Sequence, residues 1–233
     1  MNRNFISNII PKKHRIIAWV LACCMIFAAL PVATAAAADN NENNWNNPFT
    51  DVKSNDWYYN AVNYANSNQI MLGVTADLFQ PNTPTDRAMI VTTLWRAAGS
   101  PKPDSTAPFT DLNAGAYYID AVAWANENDI VNGIDATHFA PAQEISREQM
   151  AAIIYRYAKS QKVDVSQNAN NKPDLTAYND ADQIAPYALD SVKWVLDTEI
   201  INGKNTFIIA PKDNLTRAEA ATFFMRYAQK ITK

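Results

Sequence analysis

The chain is poor in the residues that most enzymes and metalloproteins are built on. It holds two cysteines, two histidines and five glycines in 233 residues. Both cysteines, Cys23 and Cys24, sit in an N-terminal apolar stretch, and one histidine, His14, lies just before it. Beyond that stretch remain His138 alone and no cysteine. That excludes disulfides, thiol nucleophiles, cysteine–zinc sites and multi-histidine metal sites from the rest of the chain. With so few glycines there is no Gly-rich phosphate loop either. Asp111-x-Asn113-x-Gly115 hints at a calcium loop but lacks the later ligands. No cofactor and no metal are expected.

Long hydrophobic runs are also scarce. The one present, residues 16–32, follows Arg3, Lys12, Lys13 and Arg15 and leads into small residues ending Ala36-x-Ala38. A basic start, an apolar middle and a small-residue end read as a secretory signal peptide over residues 1–38. A retained anchor is the first alternative, but about 17 residues lie at the short edge for spanning a bilayer. Lipidation at Cys23 or Cys24 is the second, yet a lipobox should close the apolar region, and here residues 25–32 continue it. Cleavage after Ala38 leaves sixteen Lys and Arg against 23 acids, a net charge of −7. Such a chain is not built as a general nucleic-acid binder, and no membrane contact is expected after cleavage.

What is abundant is self-similarity. Beyond an Asn-rich lead-in (39–47), a shift of 60 residues lays Phe49-Thr50-Asp51 on Phe109-Thr110-Asp111 without a gap. It also lays Trp57 on Tyr117, Gly73 on Gly133, Pro81 on Pro141, Arg87 on Arg147 and Arg96 on Arg156. A further shift of 70 brings in Tyr187, Gly203, Pro211, Arg217 and Arg226, while Asp180 falls one residue early. Three units follow, at 48–99, 108–159 and 178–230, with a polar linker at 160–177. Each reads as helix, extended segment, helix. Tyr58, Ala61, Val62 and Ala65 share one face of a first helix, and Ile90, Val91, Leu94 and Ala98 share one face of a second. Gly73, Gly133 and Gly203 follow the first helices, where a positive φ would explain them. Units this small bury little core alone, so the three are expected to pack together as a mainly α module.

The second helices open Asp86-Arg87, Ser146-Arg147 and Thr216-Arg217. Asp, Ser and Thr are N-caps, Gln149 or Glu219 completes a capping box, and Ile145 with Met150 and Leu215 with Ala220 fit a hydrophobic staple. The arginines do not fit that account, because a cation at a helix start opposes the macrodipole. Either each pairs with an acid such as Asp51, Asp111 or Asp180, or guanidinium and free helix-start N–H groups together hold an anion. Arg96, Arg156 and Arg226, near helix C-termini, read as structural. Trp57, Tyr117 and Tyr187 open the first helices and are the better candidates for stacking on a sugar. Tyr64, Trp124 and Trp194 read as core. Carboxylates are numerous, but none breaks the threefold pattern as an acid–base pair should.

Phe-Thr-Asp, an aromatic-rich first helix, Gly-x(5)-Phe-x-Pro and a Thr-Arg-Ala-Glu-like helix start, three times in order, resemble the S-layer homology (SLH) domain family. Repeat three carries Thr216-Arg217-Ala218-Glu219 in full. The resemblance implies a pseudo-threefold, trefoil-like module with the first helices at its centre. It implies grooves between units that bind a secondary cell-wall polysaccharide attached to peptidoglycan, through a pyruvylated, acetylated amino sugar. By similarity Arg87, Arg147 and Arg217 grip the pyruvyl carboxylate, and Asp51, Asp111 and Asp180 accept sugar hydroxyls. Trp57, Tyr117 and Tyr187 pack nearby, and Gly73, Gly133 and Gly203 complete the ligand-binding set. The family's Asp-Gly turn is replaced by Ala76-Asp77, Ala136-Thr137 and Asn205-Thr206, so the grooves are expected to differ. The function implied is a non-catalytic, secreted wall anchor on a Gram-positive-type bacterium. A structural adaptor acting through a surface-protein partner or through self-association is the alternative, and a small exported hydrolase the least supported.

Overall fold

The computed structural model describes residues 45–166 and 174–231. The signal peptide expected at 1–38 and part of the 160–177 linker lie outside them. Within one unit from Trp45 onward run six α-helices: α1 (Tyr59–Ser67), α2 (Arg87–Ala97), α3 (Ile119–Glu127), α4 (Arg147–Ser160), α5 (Leu189–Asp197) and α6 (Arg217–Ile231). Among the described residues there is no β-strand beyond isolated bridges. The mainly α expectation holds.

The amphipathic faces read from the sequence are buried apart from Ala98, which caps its helix and is partly exposed. Ala61, Val62 and Ala65 of α1, Ile90, Val91 and Leu94 of α2, and Phe223, Phe224 and Tyr227 of α6 are all buried. Trp124 and Trp194 are core, as expected, while Tyr64 is half-buried. Burying a Phe or Ile side chain fully contributes about 1.5–3 kcal/mol, so these faces drive the assembly.

The packing partners are cyclic. Helix α2 of repeat one lies on α3 of repeat two, α4 of repeat two on α5 of repeat three, and α6 of repeat three on α1 of repeat one. The same cycle is drawn in hydrogen bonds. Thr85 N–H donates to Leu215 C=O (2.8 Å), Leu215 N–H to Ile145 C=O (2.9 Å) and Ile145 N–H to Thr85 C=O (3.0 Å). All three residues are fully buried. This closed triangle is made by the residues that precede the second helices. The hydrophobic faces are buried by pairing each first helix with a neighbour's second helix.

Two turns differ from the sequence reading. Gly73, Gly133 and Gly203 do not carry the positive φ. It falls on Gln69 (57°), Asp129 (57°) and Glu199 (56°), directly after the first helices. The glycines serve close approach instead. A Cβ on Gly133 would stand 2.2 Å from Asp135 O and 2.4 Å from His138 O, and one on Gly73 2.3 Å from Thr75 O. Trp57, Tyr117 and Tyr187 lie two residues before their helices begin, so they stand in the entry turns rather than opening the helices.

The end of the expected lead-in packs onto the first repeat. Trp45 packs edge-on against Tyr59 (5.3 Å) and Phe49 (6.2 Å), and Asn47 Oδ1 accepts the Phe49 N–H.

Candidate functional site

The aspartates are the first constraint. Asp51 accepts N–H bonds from Phe79 (2.9 Å) and Gln80 (2.7 Å), and Asp111 from Phe139 (2.9 Å) and Ala140 (2.7 Å). Asp180 does the same with Ile209 (3.0 Å) and Ala210 (2.7 Å). The displaced Asp180 therefore performs the same task. Its extra residue is absorbed by short 3₁₀ turns at Ala181–Gln183 and Pro186–Ala188. Both oxygens of each carboxylate are engaged with the turn of their own repeat. Burial raises the Asp111 pKa, but the Phe139, Ala140 and its own N–H groups outweigh it, and the net value lies below the usual carboxylate range.

The arginines reach in the opposite sense, into the next repeat. Arg87 Nε donates to Phe139 C=O (2.8 Å) and Nη2 to Asn132 C=O (3.0 Å). Arg147 bonds Ile209 C=O (3.0 Å) and Asn202 C=O (2.7 Å), and Arg217 bonds Phe79 C=O (2.7 Å) and Leu72 C=O (2.7 Å). The guanidinium carbons of Arg87 and Arg217 stand 4.6 Å over the rings of Phe139 and Phe79. Each aspartate thus holds the N–H, and each arginine the C=O, of the same residue in the turn.

This resolves the sequence puzzle in a third way. The partners common to all three are backbone carbonyls, and among the described residues none forms an ion pair with Asp51, Asp111 or Asp180, while Arg147 alone pairs with an acid, Glu219, at 3.0 Å. The helix-start N–H groups are not free for an anion either. Those of Arg87, Arg147 and Arg217 donate to Gln143, Asp213 and Thr83 C=O, each at 3.0 Å. The next ones, on Ala88, Glu148 and Ala218, donate to Pro141, Pro211 and Pro81. The N-cap side chains of Asp86, Ser146 and Thr216 accept the third. Burial lowers the guanidinium pKa values, but an arginine so placed stays charged.

The guanidinium groups of Arg87 and Arg147 help wall two grooves. The first groove, about 410 Å³, is lined by Arg87, Asn132–Ile134, Gln149, Arg156 and Tyr187. The second, about 430 Å³, is lined by Trp57, Arg147, Asn202–Lys204, Glu219 and Arg226. A third set, Arg217, Arg96 and Tyr117, is close enough to interact electrostatically. Each groove takes its arginine from one repeat, its wall from the next and its aromatic from the remaining one.

Of the residues singled out from the sequence, these cavities bring together Arg87, Gly133 and Tyr187 in one, and Arg147, Gly203 and Trp57 in the other. Asp111 and Asp180 are not on their walls, and Asp51 lines a separate shallow depression with Tyr58, Gln80 and Pro81. Trp57 (67% exposed), Tyr117 (58%) and Tyr187 (56%) are open to solvent, as a stacking platform must be.

Sequence reasoning missed the second cation of each groove. Arg156 and Arg226 are on the walls, not merely at helix ends. The signal in the sequence is their recurrence nine residues after the first arginine, a position that the helix dipole also favours for a cation. Also missed was Glu148, buried at 3% where the other repeats have Ala88 and Ala218. It accepts from Ala185 N–H, Tyr187 O–H (3.3 Å) and Lys212 Nζ. The Tyr187 phenol is pushed up to about 12, first by burial and then by that carboxylate.

Two aromatic-edged grooves, each walled by two arginines, on a cyclic helical scaffold have the features of a binding module. A family model for the S-layer homology domain matches residues 48–88, 108–151 and 177–221. The chain belongs to the S-layer homology family, whose domains are cell-wall anchoring modules.

An endoglucanase of Bacillus sp. (strain KSM-635) is 30% identical over 202 residues, covering 87% of this chain and 21% of that protein. The surface-layer 125 kDa protein of Lysinibacillus sphaericus is 30% identical over 128 residues, covering 53% and 10%. An S-layer protein of Bacillus thuringiensis subsp. finitimus is 22% identical over 213 residues, covering 91% and 24%. The chain spans a quarter or less of each relative, so the glycosidase match covers only a small part of that enzyme. No helix among the described residues is long and apolar enough to cross a membrane.

Proposed function

We propose that this protein is a non-catalytic anchor, exported by a signal peptide, that holds to a secondary cell-wall polysaccharide through the grooves between its repeats. The recognised unit is a sugar bearing a carboxylate, in keeping with a pyruvylated amino sugar. The observation that carries the reading is the recurrence of one arrangement: a buried guanidinium, a second arginine and an exposed aromatic around a cavity of sugar size. An aromatic face takes the apolar side of a sugar ring, and the cations take its carboxylate. The aspartates serve by fixing the turn that shapes the wall. Two or three such sites on one polymer add avidity.

The test is sedimentation of the purified protein with cell-wall sacculi, before and after acid removal of the secondary polymer. Arg156→Ala/Arg226→Ala is the informative variant, because those side chains line the cavities without holding neighbouring repeats together through the turn carbonyls. Binding that requires both polymer and arginines is expected. Binding to stripped walls, or to another surface protein without polymer, would replace this reading with the adaptor one. Sugar release on incubation would replace it with a hydrolase.

A further inference from the structure

The grooves lie between repeats, but a further cavity of about 300 Å³ is built by repeat two alone, where α3 and α4 both end. It is lined by Asn128, Asp129, Arg156, Lys159 and Ser160. Arg156 also walls the Arg87 groove, so the two cavities share that side chain as a common wall.

The two sides of this basin differ in hydrogen-bonding character. Arg156 and Lys159 stand three apart on α4 and so share a face. Among the described residues neither has a hydrogen bond or an ion pair, and the Lys159 ammonium stands 5.8 Å from the centre of the Tyr155 ring. The acceptors come from the turn after α3. Asn128 Nδ2 donates to Trp124 C=O (2.8 Å), which leaves its Oδ1 as an acceptor. Asp129 is exposed, and its carboxylate has no partner among the described residues. Ser160 donates its hydroxyl proton to Tyr157 C=O (2.8 Å) and keeps an oxygen that accepts.

The other repeats do not build this basin. In repeat three, Lys230 and Glu199 stand in the places of Ser160 and Asp129 and join as an ion pair. In repeat one, Gly99 stands in the place of Lys159 and supplies no side chain.

Resting on the anchoring function proposed above, we infer that the basin is a second subsite, present on repeat two alone, that takes the neighbouring, uncharged sugar of the polymer strand entering the Arg87 groove. Cationic donors on one side, with a carboxylate and an amide oxygen on the other, suit hydroxyl groups, which both donate and accept. A phosphate or carboxylate would lie against Asp129, and like charges so placed cost affinity. Arg156 stands between the two units. It sets the direction in which the strand leaves the groove, over repeat two toward the ends of α3 and α4.

The test titrates the purified protein with size-fractionated pieces of the secondary polymer, single sugars and trisaccharides, both carrying the groove-binding unit. In ¹H–¹⁵N spectra the Asn132 side-chain amide reports the Arg87 groove and the Asp129 backbone amide reports the basin. Asn202 reports the Arg147 groove, beside which the equivalent positions are closed by Lys230 and Glu199.

The single sugar should move Asn132 and leave Asp129 in place. The trisaccharide should move both, and should saturate Asn132 at roughly tenfold lower concentration, the worth of one or two net hydrogen bonds. Asn202 should respond to both pieces at similar concentrations. Lys159→Ala, at an exposed position near a helix end, should leave the single-sugar titration as it is and remove most of the trisaccharide gain. Asp129→Asn keeps an acceptor oxygen and tolerates the left-handed backbone at φ 57°, so the gain should persist. A trisaccharide that binds Asp129→Asn more tightly than wild type would place an anionic unit in the basin and overturn the uncharged assignment. No gain at Asn132, an equal gain at Asn202, or a gain that survives Lys159→Ala overturns the subsite and leaves anchoring standing. If neither piece moves Asn132, Asp129 or Asn202, the anchoring reading fails and this inference with it.

Discussion

Arg217 closes the cycle of repeats, and its removal is the sharpest perturbation the structure suggests. It is 7% exposed, and it joins the last repeat to the first through Phe79 C=O and Leu72 C=O, each at 2.7 Å. Hydrogen bonds to a charged donor contribute about 1.5–3 kcal/mol each. The guanidinium over the Phe79 ring adds about 0.5–1 kcal/mol. Against this, the variant no longer has to desolvate a charge, and water from the groove can reach Leu72 C=O. Arg217→Ala should therefore cost about 3–4 kcal/mol, and Arg217→Lys about half that, since an ammonium cannot span both carbonyls. For a domain of this size each kcal/mol lowers Tm by about 2–4 °C, giving a drop of about 6–16 °C for the alanine variant. Urea unfolding followed by near-ultraviolet circular dichroism and by tryptophan fluorescence would measure it. A loss below about 1 kcal/mol for Arg217→Ala would refute the view that this arginine is first a joint between repeats. By the same reasoning, weak wall binding by an Arg87, Arg147 or Arg217 variant says nothing about ligand contact until its folding has been measured.

Other perturbations should separate structural from binding roles. Gly133→Ala should destabilise by about 2–4 kcal/mol in thermal melts, because its Cβ has no room between Asp135 O and His138 O. Gly115→Ala, at φ 77° in open space, should cost only about 1 kcal/mol. Asp111 has a folded pKa below its unfolded one, so its contribution is present above the ordinary carboxylate value and is lost as pH falls through the folded value. Asp111→Asn should then be less stable than wild type at pH 7, and the gap in urea midpoint should narrow below about pH 4. Trp57→Ala removes a ring that is 67% exposed, so stability should change by no more than about 0.5 kcal/mol. Wall sedimentation should nevertheless weaken severalfold. A Trp57→Ala protein that binds walls as tightly as wild type would remove the aromatic platform from the site.

Much of this was legible because the chemistry involved is local. Caps, capping boxes and buried helical faces depend on residues within a few positions, so Ser146 with Gln149, or Ala61 with Val62 and Ala65, could be read directly. The sequence marks the arginines as needing partners, but the partners common to all three are backbone atoms, which leave no mark in a residue pattern. Gly73, Gly133 and Gly203 were correctly singled out for the wrong cause. Single-sequence reasoning associates glycine with positive φ, whereas here a carbonyl from the following turn occupies the space of a side chain. Gln69, Asp129 and Glu199 take the left-handed conformation instead, at a cost the surrounding packing offsets.

By itself the sequence determined the repeat, its three copies, the helices with their starts and the apolar faces that oblige the copies to associate. Each of these follows from interactions within one stretch of chain. Only the tertiary structure decided which copies meet. It sends each arginine into the next repeat, brings an aromatic from the remaining one and places Glu219, but not Gln149, against a guanidinium as a counter-charge. A groove assembled from three repeats has no contiguous signature, because distances across it are set by the cyclic packing of the helices and not by the spacing of residues along the chain.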